Sequence, residues 1–268
     1  MDLEIKKEGE FTYFESDGPG VPIVLLHGLM GALSNFEELI KYFEGKNKIV
    51  LPILPFFEIP LRKLSVSALV EHIAKFVEYK GYEKVYVLGN SLGGHIAQMY
   101  TLQFPGKVQG MILTGSSGLF ESAMGSTFPK RGDYEYIKKK TQDVFYNPDV
   151  ASKELIDNVY AIVNDLRKAM CVVALAKSAI RHNLEDQLHK ITANTLIIWG
   201  IQDHVTPLWV GEKFHECLIN SELIKINFTG HAPMMERPKD FNDVVEDFIK
   251  RVEDGTFLTA KKGSITID

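Results

Sequence analysis

One ten-residue stretch limits the folds open to this chain more than any other. Val85 to Gly94 reads Val-Tyr-Val-Leu-Gly-Asn-Ser-Leu-Gly-Gly. Val85 to Leu88 is a short apolar run, rich in β-branched and aromatic types, behind the turn residue Gly81, and it predicts a buried strand. Gly89 to Gly93 then fits Gly-x-Ser-x-Gly, and a helical pattern follows over His95 to Phe104. Strand, tight turn and helix is the context in which that pentapeptide carries chemistry. The turn strains the serine backbone and lifts its hydroxyl clear of the sheet. Glycine at 89 and 93 lets strand and helix approach closely, and a helix N-terminus below Ser91 adds positive potential that favours an anionic intermediate. Taken alone, the same five residues also describe an ordinary strand-to-helix turn, so the rest of the chain decides.

Length and charge narrow the class. The chain has 268 residues, enough for one large core and long for a simple domain, so one α/β domain with an insertion fits. A formal net charge of −5 without a long basic run argues against a nucleic-acid partner. The tight basic cluster Lys138-Lys139-Lys140 reads as a solvated helix face. Cys171 and Cys217 lie far apart without metal-ligand spacing and read as free thiols in a reducing compartment. The charged N-terminus lacks the apolar segment of a signal peptide, and no apolar run reaches membrane-spanning length. These features predict a soluble, cytoplasmic protein with no membrane partner.

Taken in order, the chain alternates strands and helices. Leu3 to Ile5 and Phe11 to Phe14 read as a hairpin around Gly9, and Asp17 to Gly20 as the next turn. Ile23 to Leu26 is a continuous apolar run, as a parallel strand covered on both faces requires. It runs into His27-Gly28-Leu29-Met30-Gly31, where glycines free backbone N–H groups to turn toward a ligand. Leu33 to Phe43 is helical, Lys48 to Leu54 a strand ended by Pro55, and Leu64 to Tyr79 a helix. After the Ser91 strand and helix, Val108 to Leu113 is another strand. From 118 to 189 the rhythm changes. Large apolar, mostly aromatic residues, among them Phe120, Met124, Phe128, Tyr134 and Phe145 with their Gly and Pro breakers, precede helical patterns over Ser152 to Asn164 and Leu166 to Ile180. This block, which starts at the C-terminal end of a strand, reads as a helical cap over the ligand edge of the sheet. The core resumes over 190–253 with a strand at Thr195 to Gly200, a helix at Pro207 to Leu218, a strand at Leu223 to Phe228 and a helix at Phe241 to Val252. The tail, 254–268, is polar and basic and then ends in Ile265-Thr266-Ile267. It reads either as a loose end or as a strand added to another chain, which would make the protein a homo-oligomer.

Two further turns complete a constellation. Asp203 follows the Thr195 strand, and His231 follows the Leu223 strand. In a parallel sheet the C-terminal ends share one edge, so Ser91, Asp203 and His231 can converge there, in the chain order Ser, Asp, His expected of this motif. A serine hydroxyl is a weak nucleophile at neutral pH. His231 can take its proton and return it to a leaving group, and Asp203 can hold the imidazole in the required tautomer. The N–H groups of Leu29 and Leu92 are placed for an oxyanion hole. His95 reads as a packed residue of the elbow helix and His204 as a loop residue. No metal or organic cofactor is called for.

These residues carry a family resemblance. His27-Gly28, Gly89-Asn90-Ser91-Leu92-Gly93-Gly94, Trp199-Gly200 through Pro207, and Gly230-His231 together look like the α/β-hydrolase superfamily. The resemblance covers nearly the whole core, and the inserted block falls where that family places its lid. It implies a mostly parallel central sheet with helices on both faces and an inserted helical cap, the triad Ser91, Asp203 and His231, and an oxyanion hole at Leu29 and Leu92. The serine sets the chain apart from haloalkane dehalogenases and epoxide hydrolases, which use an aspartate there. Gly-Asn-Ser-Leu-Gly-Gly and the stretch around Phe145 to Leu155 are similar to the carbon–carbon bond hydrolases of meta-cleavage products. Those enzymes, however, usually carry Trp after the histidine, where this chain has Ala232, and an Arg in a cap helix, where it has Asp157, Asn158 and Val159.

Many relatives also have a tight glycine turn where this chain reads Leu54-Pro55-Phe56-Phe57-Glu58-Ile59-Pro60. That bulky segment reads either as part of an acyl pocket or as a loop packed on its neighbours. The candidate pocket residues are Phe56, Phe57, Met30 and Val205. The resulting expectation is a serine hydrolase cleaving a small, hydrophobic carboxylic ester through an acyl-serine intermediate. Thioester, lactone, amide or carbon–carbon bond cleavage by the same triad is the first alternative, and a slow-turnover ligand receptor or scaffold the second.

Overall fold

The structure, a computed structural model, describes residues 4–31, 33–120, 130–257 and 263–268. Leu3, Met124 and Phe128 of the sequence reading lie outside the described residues. The strands are β1 (Ile5–Glu8), β2 (Phe11–Glu15), β3 (Ile23–Leu26), β4 (Ile49–Pro52), β5 (Val85–Asn90), β6 (Val108–Thr114), β7 (Thr195–Gly200), β8 (Ser221–Ile226) and β9 (Ser264–Ile267). Among the described residues they form one nine-stranded sheet in the order β1-β2-β4-β3-β5-β6-β7-β8-β9. β1 and β2 form the antiparallel hairpin, and β2 meets β4 antiparallel. From β4 onward every pairing is parallel.

The buried strands read as continuous apolar runs because both sheet faces are covered. Successive side chains point to opposite faces. Val24, Leu26, Val87, Leu113 and Trp199 join one core cluster, while Ile23, Leu25, Tyr86, Leu88, Ile112 and Ile198 join the other. The first face is covered by α2 (Val66–Tyr79), α3 (Leu92–Gln103) and α7 (Leu208–Cys217). The second is covered by α1 (Glu37–Phe43) and α9 (Pro238–Glu253). α2 begins where the Ser65 hydroxyl accepts from the Ala68 N–H at 3.1 Å, satisfying one orphan amide of the first turn, and it buries Leu69, Ile73, Phe76 and Val77 along one stripe. α9 starts with Pro238, whose missing N–H costs nothing in the first turn, and it buries Phe241, Val245, Phe248 and Ile249. No helix among the described residues is long and apolar enough to cross a membrane.

Between β6 and β7 the chain forms α4 (Tyr134–Gln142), α5 (Lys153–Asn164) and α6 (Leu166–Arg181). Asp133, Ser152 and Asp165 cap their N-termini by accepting from Tyr136, Leu155 and Lys168 N–H groups. α6 is tied to the core at its C-terminal end. The Ser178 hydroxyl accepts from the Val66 N–H at 3.0 Å, and His95 in α3 bonds the His182 carbonyl at 2.9 Å. Lys138 and Lys140 pair with Glu135 and Asp143 along the α4 surface, so the basic run is locally neutralised.

The C-terminal tail departs from both readings drawn for it. Its last residues neither hang free nor leave the molecule. β9 extends the sheet of its own chain, with Leu223 opposite Ser264 and Ile226 opposite Ile267. The Asn227 N–H donates to the Ile267 carbonyl at 2.8 Å, and Arg237 Nη2 donates to the Asp268 carbonyl at 3.0 Å. Ile267 packs at the margin of the second core. The open edge of β8 supplies the unpaired backbone groups that draw the segment in. Ending the chain at Lys262 removes these bonds and uncovers that edge. A loss of about 2 kcal/mol, read as a fall in Tm of roughly 4–8 °C, is expected in thermal unfolding, and an unchanged Tm would show that β9 adds nothing to stability.

Candidate active site

The C-terminal ends of β3, β5, β6, β7 and β8 share one edge, and the loops leaving them build the site. Ser91 sits between β5 and α3 with φ 55° and ψ −122°, a conformation that non-glycine residues seldom adopt. Contacts on both sides hold it there. Its N–H donates to the Thr114 carbonyl at 3.2 Å, and its carbonyl accepts from Gly94 and Ser117 N–H groups at 3.0 and 3.1 Å. The elbow also needs α3 pressed onto β3. A side chain at Gly93 would occupy the place of the Leu26 carbonyl. The helix begins at Leu92, directly after the serine.

Asp203 and His231 meet as the sequence predicts. His231 Nδ1 lies 2.9 Å from Asp203 Oδ2, and both residues are buried. The other oxygen, Asp203 Oδ1, accepts from the Val205 and Thr206 N–H groups at 2.8 and 2.9 Å, and the Thr206 hydroxyl donates to Oδ2 at 2.9 Å. Those donors fix the plane of the carboxylate. The carboxylate accepts from Nδ1–H, which leaves His231 Nε2 as the acceptor nitrogen. Ser91 and His231 line the same cavity.

The loop after β3 is pinned by its own histidine. The Leu54 N–H donates to His27 Nε2 at 3.2 Å, so the ring proton sits on Nδ1, which donates to the Gly28 carbonyl at 3.0 Å. Burial pushes the His27 pKa down, opposed by the Gly28 hydrogen bond, and the ring stays neutral. Among the described residues neither the Leu29 nor the Leu92 N–H meets a protein acceptor. His95 is buried in α3 and its pKa is lowered by desolvation to about 4, while His204 is exposed in the Asp203 loop.

The cavity has a volume of about 1740 Å³. Its floor is Gly28, Leu29, Ser91 and His231, and its walls include Phe145, Leu155, Val159, Val163 and Val173 from the inserted block. Met30 and Val205 line it, as expected, but Phe56 and Phe57 do not. Phe56 is buried with its ring edge-on to His27 at 5.1 Å. Phe57 stacks edge-on against Phe56, lies 5.4 Å from the Lys168 ammonium, and its carbonyl accepts from Arg167. The aromatic pair is packing for the pinned histidine and for α6.

Residues that no motif marks hold the loops together. Asn90 Nδ2 donates to the Thr114 and His231 carbonyls, both at 3.1 Å. Gln202 Oε1 accepts from the Thr229 N–H at 3.0 Å while its Nε2 donates to Asn227. Glu236 accepts from the Gly230 N–H at 2.8 Å. The one signal in the sequence is position, since each polar residue lies within a few residues of Ser91, Asp203 or His231.

With the geometry in place, comparison with known proteins identifies the family. A family model for the alpha/beta hydrolase fold matches residues 21–145. Lipase 3 of a Moraxella species is 26% identical, over 89% of this chain and 82% of its own. The monoacylglycerol lipase abhd6-A of Xenopus laevis is 25% identical, over 91% of this chain and 80% of its own. A solved alpha/beta hydrolase enzyme from a lagoon-sediment metagenome, MGS-MChE2, is 42% identical with a TM-score of 0.77, covering 93% of this chain and 99% of that one. That identity along almost the full length of a solved relative, on the parallel sheet and strand-to-helix elbow described above, makes this chain a member of the α/β-hydrolase family of enzymes.

Proposed function

We propose that the protein is a serine hydrolase that cleaves carboxylic esters with an extended apolar acyl group, through an acyl-Ser91 intermediate. One observation carries the reading. The Asp203–His231 pair, 2.9 Å apart, and the strained Ser91 elbow open onto one large, mainly apolar cavity. His231 Nε2 takes the proton of Ser91 Oγ as that oxygen bonds to the ester carbonyl carbon. The carbonyl oxygen becomes an oxyanion, held by the Leu29 and Leu92 N–H groups, each such donor typically worth about 10²–10³-fold in rate. The carbon–oxygen bond to the alcohol breaks, and the alcohol leaves with the proton from His231. Water then gives a proton to His231 and adds to the acyl carbon. Collapse releases the acid, and Ser91 recovers its proton. Asp203 accepts from Nδ1–H throughout and stabilises the imidazolium.

The size of the cavity supports a long acyl group. Drug-sized sites fill about 300–1,000 Å³, and the space over Ser91 exceeds that at about 1740 Å³. The small ester expected from the sequence leaves much of it empty. Leu155, Val159, Val163 and Val173 supply wall for a flexible chain, and each buried methylene contributes about 0.8 kcal/mol. Lipase 3 and abhd6-A, whose names denote acyl hydrolases, accord with this reading. Carbon–carbon bond cleavage draws less support, because Ala232 takes the place after the histidine in the cavity wall and 157–159 provides no arginine. The inserted helices act as the cap that excludes water from the acyl chain.

Two measurements test the proposal. Intact-mass analysis after a fluorophosphonate probe is expected to show one adduct on the wild type and none on a folded Ser91→Ala variant, which also loses nearly all ester turnover. An unlabelled, folded wild type would favour a receptor over an enzyme. On p-nitrophenyl esters of two to twelve carbons, kcat/KM is expected to rise with chain length, by up to about fourfold per methylene where burial is complete. A profile that peaks at acetate would remove the long-chain reading.

A further inference from the structure

Glu236 ends α8 (Pro233–Glu236), the short helix behind His231. It is half-buried, and among the described residues no Lys, Arg or His side chain pairs with it. Neighbouring Arg237 is committed to Asp240, the Asn227 carbonyl and the Asp268 carbonyl. What surrounds the Glu236 carboxylate instead is backbone. Oε1 accepts from the Gly230 N–H at 2.8 Å. Oε2 accepts from the Tyr146 N–H at 2.8 Å and the Asn147 N–H at 3.3 Å. One carboxylate therefore joins two segments far apart in the chain, the turn that carries His231 and the stretch of the inserted block that follows α4.

The two segments also touch directly. The His231 N–H donates to the Val144 carbonyl at 3.0 Å. A side chain on Gly230 would lie 2.7 Å from that carbonyl and 2.8 Å from the Tyr146 nitrogen, so only glycine allows this approach. Val144, Phe145 and Tyr146 line the cavity. Asp203 fixes the His231 ring edge, but the ring's distance from Ser91 depends on where its backbone stands. We infer that Glu236 is a positioning residue, which sets the backbone of His231 and locks the cavity wall at 144–147 to it. The inference rests on the assignment of Ser91 and His231 as the reacting pair.

Glu236→Gln tests it with almost no change of shape. Because both oxygens accept, an amide in either orientation sets an NH₂ against a backbone N–H. Hydrogen exchange followed by mass spectrometry is expected to show segments 144–147 and 228–236 exchanging about tenfold faster or more, with the β5–α3 elbow unchanged. The rate of Ser91 phosphonylation and kcat are expected to fall together by about 10- to 100-fold, as a small misplacement of an acid–base group does, while KM moves less than about threefold. Glu236→Asp, a carboxylate that reaches one segment at a time, falls in between. Glu246→Gln, which removes an acceptor for Tyr42 and Lys46 on the α9 surface, is the control and leaves each readout unchanged.

Unaltered exchange in Glu236→Gln overturns the clamp. Faster exchange with an unaltered phosphonylation rate overturns the positioning role. A kcat that recovers fully on cooling, in step with the folded fraction, reduces the residue to a stabilising one and likewise overturns it. Should wild-type Ser91 take no label at all, the assignment of the reacting pair fails, and the exchange measurement still decides whether Glu236 joins the two segments.

Discussion

The whole site depends on one close approach, between the first turn of α3 and the end of β3. Gly93 makes it possible by leaving room for the Leu26 carbonyl. With α3 that near, the chain has one residue in which to turn from strand to helix, and Ser91 takes the strain at φ 55°. Strain of this kind costs on the order of 1–3 kcal/mol and persists only where the surroundings over-determine it. Here the surroundings are bonds to Thr114, Gly94 and Ser117 and an α3 buried from Leu92 to Thr101. The strain is a property of the sheet, repaid by the packing of its two central strands and helix.

The apolar cavity and the polar site beneath it are complementary. In low-dielectric surroundings a fixed dipole acts more strongly than it does in water. The walls contributed by α5 and α6 supply those surroundings above Ser91. The same inserted block thus shares one cavity with Leu29 and Ser91. Its anchorage is uneven. Polar contacts hold α6 to α2 and α3 at its C-terminal end, through Ser178 and His182, and hold the segment after α4 to the His231 turn.

Much of this arrangement is legible in the sequence for a simple reason. Strands such as Ile23–Leu26 and Thr195–Gly200 are apolar on both faces because helices cover both faces. Ser91 and Asp203 each stand just past such a strand, and His231 follows β8, which carries Glu222 and Lys225 among its apolar residues. Local pattern and global fold agree there. Where they part, the sequence is silent. The aromatic pair Phe56-Phe57 has the composition of a pocket wall, and only its place in the fold makes it packing for His27 and α6. Ser264–Ile267 is too short to declare itself a strand, and its partner β8 lies on the far side of α9 in the chain. The size of the cavity depends on the spread of three helices over the sheet edge, which no periodicity encodes.

The residues that the sequence hides most completely are Asn90, Gln202 and Glu236. Their partners are backbone groups of distant loops, so no spacing reveals them. Loops at the sheet edge cannot satisfy their own N–H and C=O groups as strands do, and an unpaired buried group costs about 1–3 kcal/mol. Side-chain amides and a carboxylate meet that demand here. In doing so Asn90 and Gln202 bind the Ser91 and Asp203 loops to the His231 turn, and Glu236 binds that turn to the segment after α4. The pairing of buried polar groups and the joining of one loop to another are achieved by the same bonds. The cross-linking of these loops is therefore a consequence of burying them, and the residues that supply it are recognisable by what they bond and not by any motif.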